Sequence, residues 1–238
     1  MSQVDELNDR LACLSLEEGL GLVARLFPSE VVFSSAFGQE DQVITDAIFK
    51  NDIDIEVFTL DTGRLFAETY ELIDATRSRY KKPIKTYFPD TAQVQELVTQ
   101  KGMHSFYESV DNRKECCFIR KVAPLKRALK GQKIWVTGLR AGQSQNRQEM
   151  NLVEWDEGNQ IIKFNPLLGW SYDEMIAYLK AHRVPFNKLH NQGFVSIGCA
   201  PCTRAIEPGE DARAGRWWWE TSKKECGLHQ VKLETNNA

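Results

Sequence analysis

Between residues 31 and 137 the chain alternates short β-type runs with helix-length amphipathic stretches, and this alternation leaves few folds open. The runs are Val31-Val32-Phe33, Ile55 to Leu60, Ile84 to Phe88 and Ile134 to Thr137. Between them lie Asp41 to Phe49, Leu65 to Tyr80, Ala92 to Lys101 and a basic helical stretch. Strands joined through helices of this length form βαβ units on a parallel sheet. Ligands of such sheets bind outside the C-terminal strand ends. Three of those ends carry Ser34-Ser35-Ala36-Phe37-Gly38, Asp61-Thr62-Gly63 and Gly138-Leu139-Arg140, the small and polar residues expected around a nucleotide.

The flanks are read in the same way. Apolar positions at Val4, Leu7, Leu11, Leu14, Leu22 and Leu26 predict one or two helices before the first strand. Leu152 to Asp156 and Ile161 to Asn165 resemble a hairpin, and Ser171-Tyr172-Asp173-Glu174 is a capping box opening a helix to about His182. Residues 203–216 mix Pro208, Gly209 and Gly215 with charges and predict a mobile linker. The division expected is an α/β domain over residues 1–205 and a mobile segment over 206–238.

Composition narrows the function classes. A chain of 238 residues with 42% hydrophobic and 26% charged side chains is that of an ordinary globular protein. A net charge of −3 argues against a general nucleic-acid binder. No apolar run approaches the roughly 18 residues of a membrane span. The opening MSQVDELNDR is acidic where an export signal is basic and apolar, so a cytoplasmic protein is expected. Charge is unevenly placed: residues 1–62 hold three basic and thirteen acidic side chains, residues 113–147 ten basic and one acidic. The basic segment is either a solvated helix face or a local anion site.

Six cysteines in a reducing compartment suit metal ligation or thiol chemistry better than disulfides. Cys116 and Cys117 are adjacent, and Cys199 and Cys202 form a C-x-x-C. Adjacent side chains diverge, which suits a cluster several ångströms wide better than one zinc ion. A [4Fe–4S] cluster therefore ranks first, structural zinc second and a thioredoxin-like C-x-x-C third; unrelated buried thiols remain the plain alternative. Arg113, Lys114, Arg120 and Lys121 would offset a four-thiolate charge. Cys226 stands in Lys223-Lys224-Glu225-Cys226-Gly227-Leu228-His229, where nearby cations favour the thiolate. It is either a nucleophile delivered to a site elsewhere or an incidental surface thiol. Cys13 is read as core filler on a helix. Trp217-Trp218-Trp219 suits hydrophobic docking of the C-terminal segment, or a platform over the site.

Taken together, Cys116-Cys117, Ser196-Ile197-Gly198-Cys199-Ala200-Pro201-Cys202-Thr203 and Glu225-Cys226-Gly227-Leu228-His229 resemble the assimilatory adenylyl-sulfate (APS) reductases, of the wider phosphoadenylyl-sulfate (PAPS) reductase family. Ser34 to Asp41, Leu60 to Gly63, Gly138 to Arg140 and Glu210 to Arg216 extend the resemblance over residues 30–229. It implies an α/β fold like that of ATP pyrophosphatases and other adenine nucleotide α-hydrolases. Ser34, Ser35 and Gly38 would belong to a modified phosphate loop, Leu60, Asp61, Gly63, Gly138 and Arg140 would contact the nucleotide, and Lys121, Arg213 and Arg216 the phosphosulfate.

The resemblance also implies a [4Fe–4S] cluster on Cys116, Cys117, Cys199 and Cys202, and Cys226 as the nucleophile of the C-terminal segment. Cys226 would displace AMP from APS, and thioredoxin or a glutaredoxin-like dithiol donor would release sulfite. His229, three residues on, is placed with the substrate-binding residues, where it could orient or protonate, a role the sequence itself does not support directly. PAPS or dual specificity, a tRNA-thiolating relative and an iron–sulfur redox sensor are the competing readings, and self-association into a homo-oligomer is left open.

Overall fold

The structure, a computed structural model, describes residues 2–143, 147 and 149–220. Six strands form one sheet in the order β3-β2-β1-β4-β6-β5, from β1 (Val31–Ser34), β2 (Glu56–Leu60), β3 (Lys85–Tyr87), β4 (Ile134–Val136), β5 (Val153–Asp156) and β6 (Ile161–Phe164). All neighbours run parallel except β5, which pairs antiparallel with β6 as the expected hairpin. The central strands are apolar throughout, as strands covered on both faces must be: Val31, Val32, Phe33, Ile134, Trp135 and Val136 are all buried.

Two helices precede the sheet, α1 (Gln3–Leu11) and α2 (Leu16–Leu26), each opened by a serine capping box, at Ser2 and Ser15. The crossovers are α3 (Gln39–Lys50) between β1 and β2, and α4 (Ala67–Tyr80) between β2 and β3. From β3 to β4 the chain passes through α5 (Thr91–Lys101), α6 (Val110–Cys117) and α7 (Ala123–Leu129); α8 (Tyr172–Ala181) follows the hairpin. One face of the sheet packs on α1, α2, α3 and α8 through Leu20, Val43, Ile44, Ala47 and Met175; the other packs on α7 through Leu125, Ala128 and Leu129. Cys13 falls beyond the end of α1 and is exposed, so it is not core filler: the helix stops at Leu11.

Between α6 and α7, residues Phe118–Val122 form a π-helical turn. Pro124 has no N–H for the carbonyl of residue 120, so the regular ladder cannot continue there. Such widened turns often mark functional positions. This one carries Arg120 and Lys121.

The segment after Cys202, read from sequence as a linker, is tied down as far as Glu220. Arg204 N–H donates to the Gly215 carbonyl at 2.9 Å, Thr203 and Arg216 form an antiparallel bridge, and Arg204 pairs with Glu210 at 2.8 Å. Of the glycines that read as linker residues, Gly215 serves close approach instead: a Cβ there would collide with the Arg204 carbonyl oxygen.

Leu20 is fully buried and Leu14 is 39% exposed. Leu20→Ala is expected to cost about 2–5 kcal/mol and Leu14→Ala under about 0.5 kcal/mol, as measured by urea unfolding.

Candidate active site

The sheet's strand order changes direction between β1 and β4, which opens a crevice at their C-terminal ends. Three loops meet there. The loop after β1 is closed upon itself: Asp41 Oδ2 accepts from Ala36 N–H at 2.8 Å and Gly38 N–H at 3.2 Å, and Ser35 Oγ accepts from Phe37 N–H at 3.2 Å. Phe37 takes a left-handed conformation, φ 59°, to make this turn. Ser34 Oγ accepts from Trp135 Nε1 at 2.8 Å, and Gly38 is the N-cap of α3. The Asp41 carboxyl also lies against Gly138, where any Cβ would overlap it. Only glycine therefore lets the β4 loop approach the β1 loop.

Burial pushes Asp41 up to about 7, with the Glu40 charge adding to the rise and the two amides and Arg147 opposing it. Glu40 itself pairs with buried Arg140, Nε to Oε1 at 2.9 Å. Arg140, the cation of the β4 loop, is thus already held by a carboxylate of the first turn of α3. The neighbouring imidazole of His190 feels the Glu40 charge, but burial dominates and lowers it; its Nε2 is buried without a partner.

In the β2 loop, Asp61 Oδ1 accepts from Gly63 N–H at 2.7 Å and from the Tyr70 hydroxyl at 2.9 Å, with Gly63 at φ 70°. Leu60 ends β2, half-buried against the apolar layer beneath α7. Thr62 joins this crevice to the cysteines. Its hydroxyl lies 3.3 Å from Cys199 Sγ, its carbonyl accepts from Arg120 at 2.7 Å, and the adjoining Arg64 carbonyl accepts from Ala200 N–H at 2.8 Å.

Cys116, Cys117, Cys199 and Cys202 line one small cavity together with Arg64, Arg113, Arg120 and Lys121. The four cysteines are thus brought together, one pair from the end of α6 and one from the loop before Thr203. Of the cations expected to balance them, Lys114 is exposed on the outer side of α6, and Arg64 stands in the cavity unforeseen. Burial raises the Cys116 thiol against Arg120 and Arg64. Burial pushes Cys202 up to about 12, with Cys199 and Cys117 adding to the rise. Burial would raise Cys199 too, but Lys121, the Thr62 hydroxyl, Arg216 and Arg120 outweigh it, and this thiol is lowered. Among the described residues, no three His, Cys, Asp or Glu side chains stand close enough together to hold a single metal ion.

Around the cavity, Arg120 Nε, Arg216 Nε, Trp217 Nε1 and Trp219 Nε1 are buried with no hydrogen-bond acceptor. Arg216 stacks on Trp217 at 4.7 Å, and its guanidinium occupies the space a Cβ on Gly198 would need. Arg213 sits in the preceding turn, its N–H donating to Asp211 at 2.8 Å. Cys226 and His229 lie outside the described residues. Sequence reasoning missed Asp41 as a loop partner, Thr62 as the link and Glu220 as the mate of Arg113; a carboxylate three residues past a loop glycine was the available signal for the first.

The crevice and the cavity define an α/β protein of adenine nucleotide α-hydrolase-like fold with a four-thiol cavity bonded to its strand ends. The chain belongs to the phosphoadenosine phosphosulfate reductase domain family, which it matches over residues 30–205. It is 52% identical over 236 residues to an adenosine 5'-phosphosulfate reductase of Sinorhizobium fredii, covering 99% of this chain and 94% of that one. It is 53% identical over 201 residues to the enzyme of that name from Allochromatium vinosum, covering 84% and 78%. The crystal structure of the PAPS reductase from Candida auris, a phosphate complex, superposes with a TM-score of 0.74 at 32% identity, over 86% of this chain and 98% of that one. Yeast FAD synthetase shares the fold at a TM-score of 0.54 and 14% identity, over 86% and 69%. No helix among the described residues is long and apolar enough to cross a membrane.

Asp41 is favoured in its protonated form in the fold, since its value rises from an ordinary 3.8 to about 7. Its contribution to stability is therefore full below pH 3.8 and is lost as pH rises through about 7. The stability difference between the unaltered chain and Asp41→Asn should fall over that interval and level off above it, as read by urea midpoints at a series of pH values.

Proposed function

We infer that the chain reduces adenosine 5'-phosphosulfate to sulfite and AMP in sulfate assimilation. One observation carries this reading: four thiols share a cavity bonded through Thr62 to the strand-end crevice. It occurs in a chain 52% identical to a protein named for that reaction. APS is preferred to its 3'-phosphorylated form because relatives named for APS stand near 50% identity, against 32% for the PAPS reductase structure.

The nucleotide would lie at the ends of β1, β2 and β4, among Ser34, Ser35, Gly38, Leu60, Asp61, Gly63, Gly138 and Arg140. With the amides of residues 36–38 already bonded within the loop, the anion is met by the N-terminus of α3 and by cations. Arg140 reaches it by exchanging Glu40 for the ligand. Lys121, Arg213 and Arg216 neutralise the phosphosulfate and the AMP that leaves.

A [4Fe–4S] cluster fits the donor set. Cys116 and Cys202, raised by burial and by neighbouring thiols, need metal charge to ionise, and the orphaned Arg120, Arg216, Trp217 and Trp219 N–H groups need acceptors of the kind a cluster's sulfurs provide. Cys116, Cys117, Cys199 and Cys202 would hold it, and when bound it supplies a fixed anionic, sulfur-rich charge that orients the surrounding cations.

The Cys226 thiolate attacks the sulfur of APS. A sulfur–sulfur bond forms, the sulfur–oxygen bond to AMP breaks, and AMP leaves with the electron pair, giving S-sulfocysteine. A dithiol protein of the thioredoxin type then attacks the Cys226 sulfur. Sulfite departs, and the second thiol resolves the mixed disulfide, returning the Cys226 thiolate and leaving the donor oxidised by two electrons. The cytoplasm, where thioredoxin keeps thiols reduced, suits this donor.

Cys226→Ser is expected to bind APS with unchanged affinity in calorimetry and to release no sulfite with thioredoxin present. Sulfite turnover by that variant would refute the nucleophile.

A further inference from the structure

We propose that the buried Arg113–Glu220 pair is a positioning device: it straps the segment leading to Cys226 onto the helix that carries Cys116 and Cys117, and so sets where the nucleophile starts from. This rests on the reading of Cys226 as nucleophile. The pair is bidentate, with Arg113 Nε and Nη2 each 2.8 Å from a Glu220 carboxylate oxygen. Both side chains are about as buried as the core, at 5% and 4% exposed. Arg113 lies one helical turn before Cys116 and Cys117 and lines the same cavity.

A second set of contacts reaches the other cysteine pair. Trp217 N–H donates to the Cys202 carbonyl at 3.2 Å, and its indole lies between the guanidinium groups of Arg113 at 4.8 Å and Arg216 at 4.7 Å. Trp217 is 1% exposed and holds a left-handed φ of 42°, a conformation that costs a bulky residue and persists only where its surroundings impose it. The chain that follows Glu220 therefore departs from a point fixed to both cysteine pairs. Cys226 is the sixth residue after Glu220, and such a stretch spans at most about 20 Å.

The choice of a charge pair argues for position over adhesion. A buried ion pair stabilises no better than well-packed apolar side chains of the same size, whereas breaking it strands a charge. What two parallel charged hydrogen bonds add is direction. Trp217 supplies the adhesion, and Arg113–Glu220 supplies the register.

The test uses the full-length chain prepared without oxygen, as Glu220→Gln, Arg113→Gln and the two combined. APS is added without reductant, and SO₃ on the Cys226 peptide is followed by quenched-flow mass spectrometry. Each single variant should slow adduct formation by about tenfold to a hundredfold, as misplacement of a reacting group does. The double variant should be no slower than either single one, while the APS affinity and iron per chain of Glu220→Gln stay within about twofold. Arg113→Lys, which keeps the charge with one bond, should fall between. Trypsin reads the strap without reference to catalysis: Glu220→Gln should be cut after Lys223 and Lys224 about fivefold faster, as opening of the strap becomes more populated. An unchanged adduct rate, additive effects, or iron lost in step with rate would overturn the proposal. No adduct on the unaltered chain would refute Cys226 as nucleophile; the trypsin comparison then decides the strap alone, and equal cleavage overturns it.

Discussion

Sulfur and cationic nitrogen share one space beside the strand-end crevice, and the balance between them organises the chain around it. Thiols packed this closely cannot all ionise unaided: Cys202 is held up by burial and by its neighbours, while Cys199, facing Lys121 and Arg216, is the one pulled down. The cations come from separate places. Arg64 follows β2, Arg120 and Lys121 occupy the π-helical turn, and Arg216 comes from the segment after the C-x-x-C. Each must fold into place before the charge is balanced, so the cavity is a product of the whole α/β domain.

The link from this cavity to the strand-end crevice is short and direct. Thr62 touches Cys199 through its hydroxyl and Arg120 through its carbonyl, while its own loop is held by Asp61 and Gly63. A group bound at the ends of β1, β2 and β4 thus sits one residue away from the thiols. On its other side the crevice is held closed by the acids of the first turn of α3, Asp41 on the amides and Glu40 on Arg140. An anion entering there exchanges one negative partner for another, with no buried cation to be left unpaired in either state.

Much of this was legible in sequence, and the limits are physical. The parallel order followed from strand and helix lengths, and the hairpin and the Ser171 cap from local patterns that needed no tertiary knowledge. The four cysteines were legible as one set because soft ligands have few other uses in pairs. What local pattern could not carry was pairing at long range. Nothing near Arg113 announces Glu220, 107 residues on, and nothing near Gly138 announces that Asp41 fills its space. The turn residues after Cys202 read as a linker because Gly209 and Gly215 favour loops generally; the burial of Gly215 depends on Arg204 and Ile206, whose positions are set by the fold. Lys114 and Arg113 look equivalent in sequence, yet one helical step sends the first to solvent and the second to the cavity.

The central claim is that the cysteine cavity, the crevice and Cys226 serve one displacement at the sulfur of APS. The most direct test is the mass of the intact chain and of its Cys226 peptide after addition of APS with no reductant present. The account predicts one SO₃ group per chain, located on Cys226 and released as sulfite by thioredoxin. A chain that binds APS, yet gains no mass, would contradict it.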